Sequence, residues 1–206
     1  MAITKLKALG VTANTITASQ IANNTITNTQ INSSAAIAAS KLGTMATANM
    51  PAGSVLQVQT TNAKATSSAI TSTSFVDIGI SCSITPSATS SKILIHRTQG
   101  FYIYGGGADI GFNTLLLRSI GGGSYSGLNS GRTAANSSGA YIGISATGAS
   151  NAELADIQGL TFLDTPNTTS AITYKIQVSM IGAGGSAQMN LSNDTYTNLT
   201  LLEIKG

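Results

Sequence analysis

Residues 15–24 read TITASQIANN and residues 25–34 read TITNTQINSS, a ten-residue repeat with a five-residue sub-period, and a weaker copy, AIAASKLGT, occupies 36–44. The large apolar residues Ile16, Ile21, Ile26 and Ile31 recur every five positions, and Ile37 and Leu42 keep the same gap between themselves. On an α-helix five residues turn the side chain by about 500°, so successive anchors rotate by about 140° and no single stripe forms. On a strand an odd spacing sends successive anchors to opposite faces. A unit with one large apolar residue in five cannot bury that residue within its own chain. Copies of the chain wound about a common axis, most simply three, answer that need. A narrow solenoid or a low-complexity linker are the competing readings. The Ala-rich stretch 34–42, closed by Gly43, has the composition of a short helix.

From about Pro51 the pattern changes to short β-prone runs separated by Gly, Ser, Asn and Pro clusters. The runs predict strands over 54–59, 74–80, 91–97, 101–104, 110–118, 140–145, 160–163, 172–181 and 198–204. The clearest alternation sets Thr173, Lys175, Gln177 and Ser179 against Tyr174, Ile176, Val178 and Met180. Many short strands and no convincing long helix predict an all-β chain with a β-sandwich or jelly-roll head over 51–206. An extended repetitive stalk over 15–50 precedes it. The triple glycines at 105–107 and 121–123 read as turn tips flanking a central hairpin.

Composition moves this picture toward assembly. Only 8% of residues are charged, against about 25% in an average soluble domain. A surface so poor in charge suits a chain that lives among partners, its Ser, Thr and Asn supplying hydrogen bonds. With 42% apolar residues and a net charge of +3, disorder is a poor account of the sequence. The excess charge lies in the first fifty residues, on Lys5, Lys7 and Lys41, which no acid accompanies. Three lysines without a basic run, RNA-binding aromatic signature or zinc spacing point away from nucleic acid. No run approaches the ~20 apolar residues of a membrane span, and the start lacks a signal-peptide core, so membrane insertion is not expected and assembly is expected in the cytoplasm.

Candidate chemistry is thin, and no enzymatic activity, cofactor or metal is expected. The single histidine, His96, ends an apolar run beside Arg97 and reads as a surface-facing strand residue. Cys82, the only cysteine, permits no intrachain disulfide and reads as a buried thiol. The acids Asp77, Asp109, Glu153, Asp156, Asp164, Asp194 and Glu203 are scattered, with Glu153 and Asp156 the one close pair. A glycosidase can draw its two carboxylates from distant positions, which keeps a polysaccharide-cleaving role as a minor alternative. The glycine clusters lack the lysine and hydroxyl residue of a phosphate-binding loop. Aromatic residues beside those clusters could stack on sugars while polar neighbours bond hydroxyls, which makes Tyr104, Asp109, Tyr125, Asn129 and Arg132 candidate receptor contacts, with core packing the alternative for most of the rings.

The stretch TSTSFVDIGISCSITPSATSSKILI at 71–95 resembles a segment of tail-fibre-like and other virion proteins of bacteriophages, especially marine and cyanobacterial ones. FLDTPNTTSAITYKIQV at 162–178 and LTLLEIKG at 199–206 resemble the same group in the same order, and the TIT and QI repeats resemble those of phage fibre shafts. The resemblance implies a virion component, commonly a homotrimer. Residues 1–14, with Lys5, Leu6 and Lys7, would dock onto other capsid or tail proteins, and the β-rich head would contact the host surface, possible glycan included. The absence of a large anchoring domain before the repeats leaves room for a short spike, or for a capsid decoration or head-fibre protein without a specific receptor.

Overall fold

The computed structural model describes residues 17, 19, 21–23, 25–27, 29–37, 45–63, 68–105, 110–128, 141–144, 152–181, 185–189 and 196–206. The chain divides into two units, Met1–Met45 and Ala46–Gly206. In the first, short-range bonds shape the described residues: Thr27 N donates to Gln30 Oε1 at 2.8 Å, Thr25 Oγ1 to the Ala22 carbonyl at 2.6 Å, and Ala35 N to the Asn32 carbonyl at 2.8 Å. The Thr25 hydroxyl and the Gln30 side-chain amide each satisfy a nearby backbone group, which competes with helix and ladder alike. The helix expected over 34–42 is not formed over 34–37, and the remainder of it lies outside the described residues.

The second unit is all-β, apart from a three-residue 3-10 turn at Thr47–Asn49. Its strands are β1 (Val55–Ala63), β2 (Val76–Ile84), β3 (Lys92–Gly105), β4 (Ile110–Ile120), β5 (Ser126–Gly127), β6 (Tyr141–Ile144), β7 (Ala152–Asp164), β8 (Ile172–Ile181), β9 (Gly185–Met189) and β10 (Thr197–Ile204). They form two antiparallel sheets. The first has the order β1-β10-β3-β7, with β9 continuing the line of β10 along β3; the second has the order β2-β8-β4, with β5 and β6 both on the far edge of β4. The two runs expected at 91–97 and 101–104 are one strand, because Thr98, Gln99 and Gly100 stay paired with Gly159, Gln158 and Ile157 of β7. β3 and β4 belong to different sheets and do not pair as a hairpin, and Gly106 and Gly107 lie outside the described residues. Gly121 and Gly122, at φ 59° and 75°, do make the turn between β4 and β5.

The sheets pack face to face. Ile80, Ile84, Leu116 and Ile176 of the second meet Ile93, Ile95, Leu199 and Leu201 of the first in one cluster, together with the buried Cys82. Phe101 and Ile103 meet Phe112, Val178 and Met180 in another, where the Phe101 and Phe112 rings stand edge to face at 5.0 Å. The segment 70–72 ties both sheets: Ile70 exchanges two backbone hydrogen bonds with Ala187 of β9, and the Ser72 carbonyl accepts from Met180 N of β8.

Polar side chains enter the interior of the sandwich between the two clusters. Arg97 is 1% exposed and Gln99 0%, both on the inward phase of β3, and Thr114 of β4 is 0% exposed. Arg97 Nη2 donates to Gln158 Oε1, whereas Arg97 Nε, Gln99 Oε1 and Thr114 Oγ1 have no partner among the described residues. Burial lowers the Arg97 guanidinium to about 10, so it stays charged at neutral pH.

β2 carries a bulge between Asp77 and Ser81 that places Gly79 at φ 75°, its N–H bonded to Asp77 Oδ1 at 3.0 Å. No atom lies within 4 Å of an added Cβ, so a side chain there meets conformational strain alone. Gly79→Ala is expected to destabilise the fold by about 1 kcal/mol and Gly79→Asn by less, since Asn tolerates the left-handed region. Urea midpoints of the two variants check this ordering.

Candidate functional site

Several ionisable groups of the head serve its framework. Glu203, on the inward phase of β10 and 0% exposed, accepts from Ser87 N and Oγ at 2.7 Å each, Ser91 Oγ at 2.6 Å and Gln57 Nε2 at 2.6 Å. Asp164, at the end of β7, accepts from Arg118 Nη1 at 2.8 Å and Tyr174 OH at 2.7 Å, which joins one sheet to the other. Burial and the bond to Asp164 push the Tyr174 phenol well above its usual range. Tyr174→Phe removes one of these bonds and leaves the ion pair, so a loss of about 1 kcal/mol is expected in chemical unfolding. Glu153 and Asp156, the close pair of the sequence, lie three positions apart on β7, and their side chains therefore leave on opposite faces.

Asp77 pairs with Lys175 across β2 and β8, Nζ to Oδ2 at 2.7 Å, and Lys175 also sits 4.1 Å above the Tyr125 ring. Burial would raise the Asp77 carboxyl, but the bond from Lys175, the Gly79 N–H and the Lys175 charge outweigh it and hold it below the usual carboxylate range. This pair borders a cleft of about 450 Å³ lined by Ser68–Ser72 and Val76–Ile78. Among the described residues Asp77 is the one ionisable side chain in that lining.

Of the candidate receptor residues, Tyr104 and Tyr125 are described, the one within the first sheet and the other beside the second. Tyr104 is 39% exposed and lies within β3, paired with Glu153 and Ser186 at the end of the sheet nearest Phe101. Tyr125 is 41% exposed and precedes β5 beside Lys175, at the end nearest Arg118. Asp109, Asn129 and Arg132 lie outside the described residues, as do Lys5, Leu6, Lys7, Ile16 and Leu42. Ile21, Ile26, Ile31 and Ile37 are 39%, 54%, 42% and 48% exposed in the single chain. His96 is exposed on the outward phase of β3. Among the described residues no cluster of three His, Cys, Asp or Glu could hold a metal ion, and no helix is long and apolar enough to cross a membrane.

The outer face of the first sheet carries a pattern that sequence reasoning missed. Directly paired residues share a face, and the registers align Val58 with Leu202, Leu202 with Leu94 and Leu94 with Leu163 in one row across all four strands. The next row is Thr60, Thr200, His96 and Thr161, and the one after it Asn62, Asn198, Thr98 and Gly159. Thr60 and Thr200 hydroxyls meet at 3.1 Å, and Asn198 Nδ2 bonds to Asn62 Oδ1. Val58 is 53% and Leu163 51% exposed. The signal was present in the runs KILI and LTLLEI, where apolar residues occupy both phases of a strand, the mark of burial on both faces. The outer face of the second sheet holds Ser83, Thr173, Ser119 and the Asp77–Lys175 pair, with Leu115 and Leu117 of β4 set beside Gln177 and Lys175, so its rows mix aliphatic with polar and charged residues.

No protein-family model matches the chain, and no curated protein matches it.

Proposed function

We propose that the chain is a structural virion protein of a bacteriophage, a short trimeric fibre or spike whose head projects from the particle toward the host surface. The observation that carries this reading is the repeat: Ile21, Ile26 and Ile31, at a five-residue period, are exposed in the single chain, and further chains wound about a common axis would cover them. The head supports it from the other side, because its carboxylates Glu203, Asp164 and Asp77 are engaged in holding loops and sheets together. We read the strand order β1-β10-β3-β7 against β2-β8-β4-β6 as a jelly roll, in which β1 to β4 and β6 to β8 alternate between the sheets while β4 to β6 stay in one. That architecture recurs in viral capsid and lectin domains, an analogy of fold that bears on function only indirectly.

Light scattering on the purified chain is expected to give about three times 20.8 kDa. A stable monomer would refute the fibre. Labelling the chain in intact particles places it: signal on the tail supports an attachment fibre, and signal on capsomers supports a decoration or head-fibre role.

A further inference from the structure

We infer that the outer face of the first sheet is the surface by which heads of this chain pack on one another, each row of the face against the same row of a further copy. This rests on the oligomeric reading above and adds to it the surface, the orientation and the contacts.

The rows differ in chemistry: aliphatic through Leu94 and Leu202, then hydroxyl and imidazole through Thr200 and His96, then the amides of Asn62 and Asn198 with Thr98 and Gly159. Rows repeat about every 7 Å along the strands, so a partner must present aliphatic, hydroxyl and amide bands at that same spacing. A copy rotated about an axis parallel to the strands presents them by symmetry, and this is the contact that a closed ring of identical subunits provides.

Charge agrees with this. Among the described residues, the charged side chains on the outward phase are Lys92 and Glu153, at opposite ends of the β3–β7 pair, so no charge enters the three rows. The second sheet exposes Lys175 and Asp77 near the centre of its outer face and lacks an aliphatic row across its strands. The apolar row also lies where the chain enters the head. Lys205, just past β10, donates to the carbonyls of Ala48 and Met50, and Val55 pairs with Ile204 beside that row.

Single cysteines placed on the two outer faces of the full-length chain test the inference. Thr200→Cys lies at the centre of the proposed contact and Ser83→Cys on the opposite sheet; the native Cys82 is buried, so the parent chain is the blank. With a short bis-maleimide, Thr200→Cys is expected to yield cross-linked chains and Ser83→Cys to remain single. Adding Leu202→Glu to Thr200→Cys should lower that yield at least about tenfold, because like charges brought together at an interface oppose it. An oligomer by light scattering that cross-links through Ser83→Cys, or through neither position, overturns the surface and leaves the fibre standing. A parent chain that scatters as a monomer overturns both.

Discussion

Replacing Glu203 by Ala is expected to destabilise the head by about 3 kcal/mol, since bonds to a charged acceptor contribute roughly 1.5–3 kcal/mol each and part of this returns as water reaches the exposed donors. Ser91 is 2% exposed and keeps no such recourse, whereas Ser87 is exposed. The carboxylate joins β10 to the loop between β2 and β3 and to Gln57 of β1, so the variant should also loosen residues 85–91. Hydrogen exchange would show that as faster exchange at Ser87 N, whose bond is to Glu203 itself.

The same group gives the head an acid limit. Burial would raise the Glu203 carboxyl, but the bonds from Ser87, Ser91 and Gln57 outweigh it and hold it below its ordinary value of 4.5. The unfolded chain therefore binds more protons in the acid range than the folded one. The contribution of Glu203 is fully present above pH 4.5 and is lost as pH falls through the lower folded value. Glu203→Gln, which offers one acceptor oxygen in place of two, should flatten that part of the stability profile as well as lower its plateau. Urea unfolding from about pH 7 down to pH 3 measures both. A profile that keeps its acid slope in Glu203→Gln would assign the slope to another carboxylate.

Where a strand's own side chains record its two environments, the fold was legible in the sequence. β8 alternates Tyr174, Ile176 and Val178 with Lys175 and Gln177, and the structure buries the first set and half-buries the second. β9, with the sequence GSAQM, carries no β-branched or aromatic residue and is held by its register with Phe101–Gly105 and by the bridge to Ile70. Nothing local announces such a strand, because long-range pairing supplies what propensity lacks. The same holds for the first half of β7, where Ala152, Glu153 and Asp156 read as loop, yet pair with Gly105, Tyr104 and Phe101.

The polar framework was illegible for a related reason. Glu203 and its partners Ser87, Ser91 and Gln57 are separated by 112 to 146 positions, so their convergence exists only once the sheets have formed. The outward row of Val58, Leu94, Leu163 and Leu202 needs three strand registers in alignment before it becomes a row at all. What the sequence did contain was the double-phase apolar run, which states that a strand has two apolar sides without saying what covers the second.

Phe101→Ala should be the most damaging single truncation in the head, at about 4 kcal/mol, within the range for a buried phenylalanine. Phe101 is 1% exposed and meets Phe112 edge to face at 5.0 Å, joining strands of the two sheets that have no hydrogen bonds between them. Beside it run Gln99 and Arg97, whose polar atoms Oε1 and Nε are unpartnered among the described residues. A cavity opened there borders a polar layer and can admit water, which limits the loss relative to a dry void. Phe112→Ala removes the other ring of the same contact, so the double variant should fall short of the sum by about 1 kcal/mol, the coupling of an aromatic pair. If the two losses add fully in urea unfolding, the rings act as independent filling, and the sheets are held by the aliphatic cluster around Ile93, Ile95 and Ile176 instead.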